Sequence, residues 1–531
     1  MTLSDTQANH PLSMNFLYGV GIGITMASAL PSPSGQGSVL TDMVNKICTN
    51  KHPSPHKQRL QRIQSAWNKF IHQREPDDEG HVCLDLSSLT LDKGCADWLR
   101  SQCQQNQQDR TEEPLSNSVK VDISFCKIVG EEDSVKSILD FLNLLGKSKR
   151  FKSLIYIQAE DDGENDENQE QPSVPFAASM LIDNLPKISS LKFLTLGGCK
   201  IQAHNVHGLQ QLLRGNGCRR LISLTLWNCE FDNEHSTWQS FVHALAVSKL
   251  EELEFFATVD YSMLDMLVRR VIAHKSQSIG LHNTLRYLGF RFADLSRSSL
   301  PLLTRLIIHL TNLQGLCLEG CSELVSMENQ EVFQIGDTSH RQSVVSFAHS
   351  LASSKSLFWL HMDGCLVRGD SGQIVLRQGL SKSKTLQVLH LSEDDTHYGD
   401  SGDLTSEAIF CIDHLAHLVG IHVDSVNVDD RSLRLALHKN MNVIAFNDLP
   451  LCAEEDTSQS PGATSISRIL YRNQQLEMAE EFLAREEDAF NSLTLPFCLE
   501  KLNIQKGEDP SALFAFLSAT SNKWHQRYTG F

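Results

Sequence analysis

The chain has 531 residues, of which 41% are hydrophobic and 21% are charged, with 30 Gly and 15 Pro. This composition is typical of folded protein and excludes a collagen-like or wholly disordered chain. The formal net charge of −17 has the wrong sign for gripping phosphate backbones, so nucleic acid is disfavoured as the main partner.

Residues 1–50 are predicted to form a separate N-terminal segment, either disordered or buried. Its stretch from Met14 to Leu30 is uncharged and mostly apolar. A signal peptide needs a positive charge before its apolar part, and no Lys or Arg precedes this one. The stretch is also shorter than the roughly 20 residues that span a bilayer. We therefore expect no leader and no membrane anchor, and a role in targeting stays open.

Residues 51–79 predict a basic amphipathic helix. Leu60, Ile63, Trp67 and Ile71 fall on one face at helical spacing. The simplest interpretation is an N-terminal cap that covers the apolar edge of whatever follows. A calmodulin-type target helix or a membrane-surface helix has the same pattern and remains an alternative.

From residue 80 to 449 the pattern L-x-x-L-x-L recurs, and its clean copies are mostly about 28–35 residues apart. Alternation at period 2 inside each copy predicts a short strand with one buried face. Between copies, apolar residues at i, i+3, i+4 and i+7 predict helices, as in NVHGLQQLLRGN. The middle apolar residue falls at Leu84, Val121, Leu154, Leu194, Leu224, Leu253, Leu288, Leu316, Leu360, Leu389, Ile421 and Ile444, and a late copy follows at Leu502.

A strand and a helix of this length cannot bury both of their apolar faces alone, so the units must stack side by side. The sequence therefore predicts an α/β fold in which each strand joins one parallel sheet. The turn after the strand carries a small, buriable thiol in five copies, and this use of cysteine favours a reducing compartment over a disulfide framework. These residues are Cys126, Cys199, Cys229, Cys321 and Cys365.

At these positions the sequence resembles the leucine-rich repeat family, in particular the long-repeat subclass typified by ribonuclease inhibitor. The resemblance covers about residues 80–505. It implies a horseshoe-like solenoid with parallel strands on the concave face and helices on the convex face. The spacing is irregular, and the long interval from Leu313 to Leu357 predicts an inserted loop.

Residues 450–531 are predicted to end the array. An acidic loop (CAEEDTSQSPG) is followed by a charged helix (ISRILYRNQQLEMAEEFLAREEDAF) and then by a final strand and helix. A capping element with a polar outer face is expected at the end of a solenoid.

The predicted concave face carries large aromatic side chains where polar ones would be usual. Aromatic anchors dominate the binding energy of many protein interfaces, which makes this face the expected partner-binding site, unless the protein's own curvature or a loop covers it. Glu254, Arg291, Cys317 and Glu319 are expected on the same face. The predicted binding residues are Phe193, Trp227, Phe256, Tyr287, Phe292, Trp359, His361, Asp363, His390, His422 and Asp424.

His361, His390 and His422 occupy one equivalent position in three successive copies. Neighbouring parallel strands lie about 4.8 Å apart, so the three imidazoles should form a row with Asp363 and Asp424 beside it. Such a row can bind a transition metal or respond to pH. The spacing matches no local ligand motif, so a solvated or partner-facing strip is favoured, and no metal or cofactor is assigned.

No catalytic motif is apparent in the sequence. The patterns G-x-S-x-G, G-x-x-x-x-G-K-[ST] and H-E-x-x-H do not occur. Cys83-x-Asp85 and Cys411-x-Asp413 resemble the Cys-x-Asp of bacterial ubiquitin ligases. Both lie inside predicted repeats, on a strand and a helix respectively, and we expect no enzyme activity.

The expected function is a non-catalytic scaffold or adaptor that binds a protein partner on the concave face. The negative charge favours a basic partner. The alternatives are a small-GTPase regulator of the GTPase-activating type and the substrate-recognition subunit of a ubiquitin ligase. We expect a cytoplasmic location, with the nucleus as an alternative and with secretion or membrane attachment disfavoured. The oligomeric state is left open.

Overall fold

The alternating leucines form one long parallel sheet. In the computed structural model, 12 strands follow one another in chain order. The structure describes residues 55–72, 81–108, 118–129, 132–147, 151–158, 173–175, 178–215, 221–232, 234–275, 280–321, 324, 338–365, 369–392, 404–447, 449, 461–485 and 500–501. The strands are β1 (His81–Asp85), β2 (Ser118–Asp122), β3 (Phe151–Ile157), β4 (Phe193–Gly197), β5 (Ser223–Trp227), β6 (Glu252–Phe256), β7 (Tyr287–Arg291), β8 (Gly315–Cys317), β9 (Trp359–Asp363), β10 (Val388–Ser392), β11 (Gly420–Val423) and β12 (Ala445–Phe446).

The register sets the leucines of successive strands side by side. Leu224 pairs with Leu253, which pairs with Leu288, and the alignment continues through Leu316 and Leu360. These five side chains are between 0 and 1% exposed. β1 and β12 are the two edges of the sheet, which is therefore open. The predicted α/β class, with a long parallel sheet built from repeated units, is confirmed.

Helices between the strands bury their apolar stripes in the same core. In the helix Tyr261–Ala273, for example, the buried residues Leu264, Leu267, Val268 and Val271 follow helical spacing, and the Asp260 side chain caps the first turn. The helices are α1 (Pro55–His72), α2 (Lys93–Gln108), α3 (Glu132–Lys147), α4 (Ala178–Asn184), α5 (Ala203–Arg214), α6 (Glu234–Ala246), α7 (Tyr261–Ala273), α8 (Leu281–Thr284), α9 (Leu300–His309), α10 (Thr338–Ser353), α11 (Gly369–Ile374), α12 (Thr405–His414), α13 (Arg431–Lys439) and α14 (Pro461–Arg485).

Shorter elements complete the described chain. Two 3-10 turns lie at Leu185–Lys187 and Arg297–Ser299, and α11 continues as a π-helical turn (Val375–Gly379) and a 3-10 turn (Leu380–Lys382). Short strands outside the main sheet are Thr90–Leu91, Lys127–Val129, Ser173–Pro175, Lys200–Ile201 and Glu230–Phe231.

A residue with positive φ follows most strands of the main sheet. Glycine adopts this left-handed conformation without steric penalty, and other residues do so rarely. Glycine occupies the position at Gly198, Gly320 and Gly364. Elsewhere it is taken by Ser88, Phe125, Asn228, Ala257, Phe292, Ser425 and Asn447.

Four of the five predicted turn cysteines connect consecutive repeats. The Sγ atom of each donates to a backbone carbonyl at the end of the strand one repeat earlier, and Thr258 donates to Leu226 O at 3.2 Å in the same way. The thiol therefore links its own repeat to the backbone of the preceding one. The bonds are Cys126 to Leu86 O at 3.0 Å, Cys229 to Leu196 O at 3.3 Å, Cys321 to Phe290 O at 3.3 Å and Cys365 to Leu318 O at 3.0 Å.

Helix α1 packs on the beginning of the array through part of the face that its amphipathic pattern indicated, whereas Ile71 stays 39% exposed. Ile63 and Trp67 are buried, and the Trp67 ring lies 6.3 Å from that of Trp98 on α2. Asp92 accepts hydrogen bonds from His56 Nδ1 at 2.8 Å and from Arg59 Nε at 3.0 Å. Burial alone would raise the pKa of Asp92, but its hydrogen bonds lower it.

Helix α14 packs beside α13 near the other edge. Asn473 is fully buried, and its Nδ2 donates to Leu437 O, Asn440 O and Val443 O at 3.2, 3.2 and 2.8 Å. Its amide thus satisfies carbonyls at the end of the preceding helix.

Some of the sequence predictions fall on residues that the structure does not describe. Segments 1–50, 159–171 and 450–460 and the copy at Leu502 lie outside the described residues. All described residues belong to the unit Pro55–Phe531. Among them, no helix has both the length and the apolar character of a membrane span.

Candidate functional site

The residues that alternate with the buried leucines form the second face of the sheet, which we call the strand face. All eleven predicted binding residues lie on this face or directly after it. Phe193, Tyr287 and Trp359 begin their strands, and Trp227 and Phe256 end theirs. The other six are His361 and Asp363 on β9, His390 on β10, His422 on β11, and Phe292 and Asp424 just after β7 and β11.

Trp227, Phe256 and Phe292 come together as the aromatic region of the strand face. The Trp227 and Phe256 ring centroids are 5.4 Å apart, and those of Phe256 and Phe292 are 5.0 Å apart. The Phe292 side chain remains 49% exposed. Its backbone φ is 48°, which lies in the left-handed region. A Cβ at Gly320 would lie 2.4 Å from Phe292 Cδ1, so the Phe292 ring requires a glycine in the next repeat.

An acidic cavity of about 740 Å³ adjoins the aromatic region. Phe292, Met263 and Val259 supply its apolar lining, and Lys200 contributes a positive charge. Four carboxylates outnumber that lysine, so the cavity attracts cations. They are Glu230, Asp232, Asp260 and Asp294.

The sequence reasoning missed these carboxylates because they lie after the strands of the main sheet, Glu230 on a short strand outside it. Asp260 and Asp294 form a parallel bridge between successive repeats. Their approximate equivalence after β6 and β7 was the available signal.

Tyr287 and Trp359 begin a second continuous group. Their centroids are 5.7 Å apart, and the Trp359 ring lies 5.5 Å from His361 and 5.8 Å from His390. His361, His390 and His422, the histidine row, are paired in register. Their successive centroid distances are 4.9 and 5.4 Å, as the equivalent positions predicted.

Carboxylates flank the histidine row. His361 Nε2 lies 2.5 Å from Asp363 Oδ2, and His422 Nε2 lies 3.1 Å from Asp424 Oδ1. Burial lowers the pKa of His361, but its hydrogen bonds with Asp363 and Cys317 and their charges raise it to about 10. The hydrogen bond to His422 lowers the pKa of Asp424.

Arg291 lies between the aromatic region and the histidine row. Its Nε donates to Glu254 Oε1 at 2.6 Å, and its Nη1 donates to Glu319 Oε2 at 2.8 Å. Tyr287 also donates to Glu254, at 3.1 Å. Burial raises the pKa of Tyr287 well above its usual range. The guanidinium pairs with both carboxylates at the centre of the strand face.

Phe193 and Cys317 have surroundings different from those expected. Phe193 lies apart from the other aromatic residues: its ring is 5.4 Å from that of His81, and it lines a cavity of about 370 Å³. Cys317 lies in register with His361 on the strand face but is 0% exposed. Cys317 thus lies on the expected face but is covered there.

The two Cys-x-Asp pairs lie within repeats, as expected. Cys83 is on β1 and half-buried, whereas Cys411 is buried within α12. Burial raises the pKa of Cys411 to about 12, which leaves it a poor nucleophile at neutral pH. All the cysteines that the structure describes carry free thiols.

The chain was compared with protein-family models and with curated proteins, and neither comparison found a match.

Proposed function

We propose that the chain is a leucine-rich repeat protein of the ribonuclease-inhibitor-like subclass. The proposal is supported by the repeated strand and helix, the aligned leucines of the parallel sheet and the turn thiols that bond to the preceding repeat. Its function is non-catalytic: it binds a protein partner through the aromatic region and the adjoining acidic cavity.

Phe292 is the observation that carries this proposal. A large apolar ring that is 49% exposed forgoes part of the stabilisation that its full burial would contribute to folding. Holding a non-glycine residue in the left-handed region costs about 1–3 kcal/mol in addition. Three equivalent turns have glycine and six others carry another non-glycine residue, but among these ten positions only Phe292 is an exposed large apolar side chain. An exposed and strained phenylalanine marks a place where function, rather than folding, selects the residue.

The surroundings of Phe292 define the chemistry of the partner. The carboxylates of the acidic cavity favour Lys or Arg, and the face of the Phe292 ring favours a cation above it. Phe256 and Trp227 offer apolar area to a neighbouring side chain. Because a sheet holds these groups in place before binding, little entropy is lost on docking. We therefore expect a basic segment with at least one apolar anchor.

A displayed library of random peptides, selected on the immobilised full chain, tests the proposal. We expect the selected peptides to be enriched in Arg or Lys next to an apolar residue. Phe292→Ala should weaken their binding by about 2 kcal/mol, close to 30-fold, which is typical of an interface hot spot.

Leu435→Ala is the matched control, because Leu435 is an apolar side chain on α13 that is 58% exposed and lies off the strand face. This variant should bind the peptides as the wild type does. Selected peptides that lack basic residues, or that bind Phe292→Ala unchanged, would show that this surface is not the docking site.

A further inference from the structure

The histidine row and its carboxylates place several metal-ligating atoms within reach of one another. One ligand atom from each of His361, Asp363 and His390 lies within 4.8 Å of the other two. Cys317, Glu319 and His361 form a second group with the same property. Both groups consist of described residues, and both contain His361. Their residues lie on or directly after adjacent strands of the sheet.

One carboxylate oxygen of Asp363 has no hydrogen-bond partner among the described residues. Its Oδ2 contacts His361, but its Oδ1 is buried and has no hydrogen-bond partner within the part of the chain that the structure describes. A buried acceptor without a partner is destabilising, and in folded proteins such an acceptor often coordinates an ion. A cation bound by Oδ1 next to the imidazoles removes this penalty.

We propose that His361, His390 and Asp363 bind a Zn²⁺ ion, with the strand face leaving its remaining coordination position open. Imidazole together with carboxylate suits zinc, whereas Mg²⁺ and Ca²⁺ prefer oxygen ligands alone. Around tetrahedral zinc, ligand atoms lie roughly 3.3 Å apart. Side-chain rotations that move the ligand atoms by about an ångström bring this set to that spacing.

The neighbouring residues separate ligands from supporting groups. Glu319 is held by Arg291 at 2.8 Å and lies 3.9 Å from His361, so it acts as an outer carboxylate. Cys317 is fully buried and belongs to the second group with Glu319, not to the ligand set. His422 pairs with Asp424 and lies one strand beyond the ligand set.

Zinc titration of the full chain, freed of metal and read by competition with a chromophoric chelator, tests the proposal. We expect one Zn²⁺ per chain at this site and no displacement by Mg²⁺ or Ca²⁺. His390→Gln and Asp363→Asn should each weaken binding by more than about 100-fold, because loss of merely an outer-shell partner already costs 10- to 100-fold. His422→Gln is the matched control on the next strand and should bind zinc as the wild type does.

Cobalt supplies an independent readout. Co²⁺ in the wild type should give the visible absorption of a four- or five-coordinate site, and His390→Gln should abolish that absorption. Circular dichroism of each metal-free variant checks that it is folded, and the isosteric Asp363→Asn serves if His390→Gln is not. The proposal is overturned if a folded ligand variant binds zinc as the wild type does, or if His422→Gln weakens binding as much as His390→Gln.

Discussion

The aromatic region and the histidine row lie on the same sheet, at the same alternating positions, but have different chemistry. β5, β6 and the turn after β7 display two half-buried rings and the exposed Phe292 beside a cavity of carboxylates, whereas β9–β11 display imidazoles paired with carboxylates. Beneath both regions the leucines are buried alike. The comparison shows that the core fixes where the side chains stand, while the alternating positions remain free to specify what they bind.

The largest expected effect tests whether the core contributes equally to stability beneath the aromatic region and beneath the histidine row. Leu253→Ala beneath the aromatic region and Leu389→Ala beneath the histidine row each remove a fully buried side chain. Each should lower the free energy of unfolding by about 2–5 kcal/mol, since both leave a cavity in a stacked core. Chemical denaturation measures the loss.

Phe256→Ala and His390→Ala, on the strand face of the same two strands, serve as controls and should cost clearly less. The comparison fails if the face variants destabilise as much as the core variants, or if the two core variants differ widely.

A smaller effect is expected at the boundary between the two regions. Arg291→Met leaves Glu254 and Glu319 without their shared cation, and both carboxylates are about one-quarter exposed or less. Stability should fall by about 1–3 kcal/mol, because a partly buried carboxylate loses a charged hydrogen bond. Adding Glu254→Gln and Glu319→Gln to Arg291→Met should restore most of the loss. If the triple variant is no more stable than Arg291→Met, charge neutralisation is not what Arg291 provides.

The smallest effect concerns the strain at Phe292. Phe292→Ala and Phe292→Gly both remove the ring, but only glycine relieves the left-handed backbone. The glycine variant should therefore unfold at higher denaturant concentration, with an advantage of about 1 kcal/mol. Equal stability of the two would show that the turn stores no strain.

Periodicity alone predicted the strands, their order and the histidine row, because equivalent positions in a stacked repeat must become neighbours. The same reasoning placed Phe292 near the strand face but could not show that it occupies a left-handed turn. Cys317 illustrates a second limit, since a side chain on the correct face can still be covered by longer neighbours such as His361.

The contacts that form the acidic cavity and those that hold the two end helices were harder to predict from the sequence. Asp260 and Asp294 follow their strands at slightly different offsets, so no fixed spacing identifies them as neighbours. Asp92 holds α1 through Arg59, which lies 33 residues earlier in the sequence. Asn473 holds α14 by donating to carbonyl groups that lie 30 or more residues before it. Contacts that do not repeat leave no periodic signal.

The thiols between consecutive repeats have a consequence for how the molecule opens. Each is inaccessible to alkylating reagents while its own repeat and the preceding one remain stacked. Burial raises the pKa of Cys126 and Cys321 to about 12 and that of Cys365 well above its usual range. A thiol at such a junction becomes reactive when that junction separates. Alkylation of these cysteines, which are spaced along the repeat array, therefore reports which junction separates first.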